Sequence, residues 1–90
     1  MSMSHGMNVD EVRSLGDLLK RKAQEIRSLV SEIEGKVHGT GWEGPDARAF
    51  KDQWWPEHKQ HLSTVADQVE NFGQSALNNA QEQQDASSPR

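Results

Sequence analysis

Gly39-Thr40-Gly41-Trp42-Glu43-Gly44-Pro45 decides how this chain folds. The stretch gathers three of the seven glycines of the sequence around a tryptophan and ends on a proline. Glycine supplies backbone angles that other residues resist, and Pro45 pre-sets the first turn of a following helix. Long amphipathic patterns run into the stretch on one side and out of it on the other. The chain therefore reverses here, between two helices laid back along each other. A bare reversal needs no large aromatic residue, so Trp42 calls for a further reason.

Upstream, Asn8 is a good N-cap, with Glu11 three residues on as in a capping box. Met7 and Val12 stand where a hydrophobic staple would close. Apolar residues then recur at Val12, Leu15, Leu19, Ile26, Leu29 and Ile33, interrupted once by Lys22, while Leu18, Ala23, Val30 and Val37 widen the stripe. Steps of three and four over about four heptads are the pattern of a bundle or coiled-coil helix. Asp17–Arg21 and Glu32–Lys36 stand at favourable i,i+4 spacing on the other face. Gly35 is a mild flaw, and His38-Gly39 suits a C-terminus with the glycine as a left-handed cap.

Downstream, Pro45-Asp46 opens the second helix, with an acid where the helix dipole favours it. Its stripe is Ala47, Phe50, Trp54, His61/Leu62, Val65, Val69, Phe72, Ala76 and Ala80. Pro56 lies inside it and costs roughly 3 kcal/mol in a regular helix interior. The stripe continues in phase, which favours one kinked helix over two separate ones. Gly73 is a second weak point. The expected layout is a flexible tail over residues 1–7, helix 1 over about 9–38, a turn over 39–44, and helix 2 over about 45–82 with a kink near Pro56. The polar residues 83–90 read as a second flexible tail. The hairpin thus spans residues 8–82.

Composition narrows the function. A hydrophobic fraction of 32% and a mean hydropathy of -0.93 are low for a self-sufficient globule of ninety residues. The net charge of -4 argues against nucleic acid or an anionic membrane as partner. No apolar run approaches the ~20 residues of a membrane span, and no signal peptide is visible at the N-terminus. With no cysteine there is no disulfide or thiolate site. His58 and His61 at i,i+3 could share a metal, yet no further ligands cluster with them, so no metal or cofactor is expected. Lys20-Arg21-Lys22 reads as a solvated helix face. Ser14, Ser28 and Thr64 have no demonstrable histidine–acid setting, so the chain is not read as an enzyme.

Helices of about 45 and 55 Å present apolar surface along their whole length. Leu15, Leu19, Ile26 and Leu29 are expected to face helix 2 directly. Leu18, Val30 and Val37 on one flank and Trp55 on the other helix would then stay exposed. Trp54 is expected to be more buried than Trp55. Exposed apolar stripes mark association sites, and a second hairpin would complete a four-helix bundle. The expected fold class is all-α, an antiparallel two-helix hairpin that dimerises into a four-helix bundle.

Length, hairpin and Trp42-Glu43-Gly44, followed by Pro45-Asp46-Ala47-Arg48-Ala49-Phe50 and Trp54, resemble the WXG100 family over nearly the whole chain. These are small helical-hairpin substrates and chaperones of type VII secretion. The resemblance implies export as a folded dimer with itself or a related WXG100 protein, without a cleaved signal peptide and from a cytoplasmic start. It also implies a type VII secretion ATPase and a larger co-secreted substrate as partners. Trp42 and Gly44 would belong to a groove at the bundle end; plain turn packing is the other reading of Trp42. Many members carry a Tyr-X-X-X-Asp/Glu export signal after helix 2. This chain has no tyrosine, and Ala76 and Ala80 stand at the corresponding positions, so a signal would come from a partner, which shifts the expectation toward a heterodimer or a complex with a larger substrate and leaves a homodimer open. The competing reading is a non-exported hairpin dimer that scaffolds or regulates.

Overall fold

The computed structural model describes residues 7–87; of the tails expected over residues 1–7 and 83–90, residues 1–6 and 88–90 lie outside them. The described chain is helical on both sides of one turn: α1 (Val9–Gly39), α2 (Pro45–Ala49), a five-residue π-turn (Phe50–Trp54) and α3 (Trp55–Ser87). Among the described residues there is no strand. α2, the π-turn and α3 form one continuous rod that packs antiparallel on α1, with overall extents of 68 × 19 × 17 Å. α1 starts where the Asn8 side chain accepts the Glu11 N–H at 3.0 Å, satisfying one of the donors that a helix start leaves free. α3 continues to Ser87 rather than fraying after residue 82.

Pro56 brings no N–H, and in a regular helix its ring would press on the carbonyl of Asp52. The turn before it is widened instead: the Trp55 N–H bonds the Phe50 carbonyl, five residues back. The extra residue rotates everything before it. Steps of three and four back from Ala80, Gly73 and Ala66 would bring Asp52 and Arg48 against α1. The π-turn brings Ala47, which is buried, and Lys51, which is half-buried.

The seam between the rods is made of small residues seven apart. Gly16, Ala23 and Val30 are buried on α1, and Ala66, Gly73 and Ala80 on α3. This corrects the expected packing. Leu15 and Leu29, expected to face the second helix, are 49% and 50% exposed, whereas Val30 and Trp55, expected to be exposed, are buried. The backbones approach too closely for two rows of leucine to fit between them. A Cβ added to Gly16 would lie 2.8 Å from the Leu77 side chain, and Gly73 is equally confined. Gly73 is therefore a requirement of the packing and not a weak point.

Polar groups lie along one side of this seam. Arg13 donates to Gln84 at 2.6 Å, Lys20 to Gln74 at 2.8 Å, and Arg27 pairs with Asp67 and Glu70 at 2.7 Å. Those two carboxylates hold the Arg27 guanidinium above its ordinary pKa. The expected pairs Asp17–Arg21 and Glu32–Lys36 do not form; Lys22 pairs with Glu25 instead, at 3.1 Å. With the polar groups on one side, Leu19 and Ile26 of α1 and Leu62 and Val69 of α3 take the opposite side, half-buried. Beyond them the surface is exposed at Leu15, Leu29, Ile33, Val65 and Phe72.

Candidate functional site

The turn end of the rod is built around Trp42. Glycine at position 44 has φ 111° and ψ 176°, a region essentially restricted to glycine. A Cβ there would meet nothing within 4 Å, so the requirement is one of backbone angle and not of space. Gly39 is correspondingly not a left-handed cap. It closes α1 in helical conformation, and Thr40 follows in extended conformation with its hydroxyl donating to the Lys36 carbonyl at 2.6 Å. The Trp42 N–H returns to the Thr40 carbonyl at 2.9 Å. Lys51 ties the loop to the second rod, donating to the carbonyls of Thr40 and Trp42 at 3.2 and 3.0 Å. The π-turn thus supplies the loop's anchor, a role that sequence reading did not give to Lys51.

Trp42 is held in place yet open to solvent, 43% exposed. Its ring centroid lies 5.6 Å from Phe50, Phe50 lies 5.1 Å from Trp54, and Trp54 lies 4.0 Å from His58. His58 Nδ1 is bonded to the Trp54 carbonyl at 2.8 Å, which orients the imidazole. Trp42 stands between two shallow hollows. One, of about 230 Å³, is lined by Ile33, Lys36, Val37, Thr40, Phe50 and Lys51. The other, of about 480 Å³, is bordered by Asp46, Ala49, Phe50, Gln53, Trp54 and Glu57. An aromatic face between two apolar hollows can take side chains of another polypeptide on either side.

Trp54 and Trp55 are the reverse of the expected order: Trp54 is 52% exposed and Trp55 5%. The indole N–H of Trp55 donates to Glu34 at 2.6 Å, so the ring fills the seam while its one polar atom is satisfied. Glu34 is also bonded to His38 at 2.8 Å and lies 3.4 Å from Lys59. The bond from Trp55, with those from His38 and Lys59, lowers the Glu34 pKa from its ordinary value.

Of the residues expected in hairpin and dimer packing, Val30 is buried, and Leu19, Ile26, Phe50, Leu62 and Val69 are half-buried. Leu15, Leu18, Leu29, Ile33, Trp54, Val65 and Phe72 are exposed. Leu18 lies on the outer edge of α1, away from the others. The rest, apart from Val30, form one apolar side of the rod that ends in the aromatic group at the turn. Among the described residues no three or more His, Cys, Asp or Glu gather to hold a metal ion, and no helix is long and apolar enough to cross a membrane. Comparison with known proteins gives no matching family model, no matching curated protein and no matching solved structure.

Proposed function

We propose that this chain is a non-catalytic export and binding module: a helical hairpin that pairs with itself or a related hairpin and leaves the cell through a type VII secretion system, alone or with a larger substrate. The observation that carries the reading is the apolar side of the rod. Phe72 at 66% exposure, with Leu15, Leu29, Ile33 and Val65, leaves large side chains in water along a rod only two helices thick. A second hairpin laid on that side gives each of them a neighbour and yields a four-helix bundle. The resemblance of Trp42-Glu43-Gly44 and the following helix to the WXG100 family supplies the export part of the proposal.

Export is tested by following the tagged chain inside and outside cells with and without the type VII ATPase. ATPase-dependent appearance outside is expected; no appearance outside when the ATPase is active contradicts it. Trp42→Arg should leave the helix content by circular dichroism nearly unchanged and impair export or partner engagement. The second reading is a hairpin dimer that stays in the cell as a scaffold or adaptor; on the export reading, a chain without tyrosine takes its signal from a partner. Dimerisation with no export under any condition distinguishes that reading.

A further inference from the structure

We propose that the acid-edged hollow beside Trp42 docks an extended, basic segment of a partner polypeptide through two arginines four residues apart. Every group in the site belongs to one hairpin, so the inference rests neither on dimerisation nor on export. The two hollows that flank Trp42 differ in the sign of their charge. The smaller is bordered by Lys36 and Lys51 and by no carboxylate. The larger, of about 480 Å³, is bordered by Asp46 and Glu57 and by no cationic side chain.

The larger hollow divides into two like halves. Trp42 and Asp46 stand in one, Trp54 and Glu57 in the other, with Phe50 and Gln53 between them. Both indoles are exposed. So are Asp46, Gln53 and Glu57, and among the described residues none of these three side chains takes part in a hydrogen bond or an ion pair. The lysines of the second rod are engaged elsewhere: Lys51 donates to the carbonyls of Thr40 and Trp42, and Lys59 lies 3.4 Å from Glu34. The face of an indole attracts positive charge through its quadrupole, and a free carboxylate beside it adds to that attraction. Each half of the hollow is therefore a place for a cation that the chain itself does not supply.

Arginine fits these halves better than lysine or a quaternary ammonium. Its guanidinium is planar, stacks on an indole, is weakly hydrated, and presents its N–H groups in a fork that matches a carboxylate. Asp46 and Glu57 are eleven residues apart in the chain. That is about 16 Å along the rod at 1.5 Å per residue, too far for one guanidinium to reach both. In an extended segment, side chains four residues apart share a face and stand about 13 Å apart. The length of two arginine side chains takes up the difference, so one segment fills both halves. The residue midway between the arginines then falls over Phe50.

The probe is the blocked peptide Gly-Arg-Gly-Leu-Gly-Arg-Gly, titrated into the isotope-labelled full chain and followed by NMR at the three indole N–H signals. Those of Trp42 and Trp54 are expected to shift saturably, and that of Trp55, buried and bonded to Glu34, to stay in place. Asp46→Asn/Glu57→Gln should weaken binding about tenfold, the loss of two exposed ion pairs. Both side chains are exposed and without partners, so the circular dichroism of this variant should match the wild type. Asp17→Asn/Glu32→Gln removes the same charge from exposed positions on α1 and should leave the affinity within about twofold. A peptide with lysine in place of arginine should bind about threefold more weakly or worse. Choline chloride, which has the charge but no N–H to donate, should bind more weakly still. Equal losses in the two charge variants would reduce the attraction to net charge and overturn the site. A lysine peptide or choline that binds as tightly as the arginine peptide would overturn the assignment of the occupant. No saturable shift at Trp42 and Trp54 would overturn the proposal outright.

Discussion

Gly16 and Gly73 meet across the hairpin with no room for a side chain on either. A Cβ on Gly73 would lie 2.8 Å from the carbonyl oxygen of Gly16, and one on Gly16 would lie 2.9 Å from the carbonyl oxygen of Gly73. Because the obstacle is backbone, relief requires the two helices to move apart. Gly73→Ala is therefore expected to destabilise the protein by about 1–3 kcal/mol despite alanine's better helix propensity. Gly35, also inside a helix, would have nothing within 4 Å of an added Cβ, and Gly35→Ala should stabilise by about 0.5–1 kcal/mol. Thermal melts of the two variants should move in opposite directions; a shift of the same sign would contradict the close seam.

Gly44 is constrained by backbone angle alone. With φ at 111° and open space around it, Gly44→Ala should cost about 1–3 kcal/mol without a change in helix content. The check is chemical denaturation together with circular dichroism. An alanine variant as stable as the wild type would mean that the turn has another conformation.

The adjacent tryptophans should separate cleanly. Trp55 is buried and bonded to Glu34, so Trp55→Ala should cost about 3–5 kcal/mol and leave the hairpin largely unfolded. Trp54 is half in solvent, and Trp54→Ala should cost about 1 kcal/mol or less in the hairpin itself. Equal losses in the two variants would be incompatible with the π-turn's placement of these rings.

Glu34 links stability to pH. Its carboxyl titrates below its ordinary value of 4.5, first because of the Trp55 N–H and then because of His38 and Lys59. A folded value below the unfolded one gives stabilisation that is complete above about pH 4.5 and is lost as the pH falls through the folded value. The melting temperature of Glu34→Gln should accordingly fall less than that of the wild type between about pH 5 and pH 3. Parallel curves for the two proteins would show that Glu34 does not contribute to the acid limb.

The turn and both helices were legible because their signals are local: Asn8 before an apolar repeat, Pro45 at a helix start, glycines around Trp42. The seam was not, because counting large apolar residues points to Leu15 and Leu29, while the close contact depends on Gly16, Ala23, Ala66, Gly73 and Ala80. Their sevenfold spacing was available in the sequence, but a small residue carries no hydrophobic weight in such a count. The order of Trp54 and Trp55 was hidden for another reason. A single added residue in the π-turn rotates the start of the second rod, and only the position of Pro56 hints at it.

The central claim is that a hairpin zipped by small residues leaves an apolar side that must be covered by another hairpin. Sedimentation equilibrium of the purified wild-type chain tests it most directly. The expected result is a concentration-dependent dimer whose melting temperature rises with protein concentration. A sharply melting, well-ordered monomer at the highest attainable concentration would contradict it.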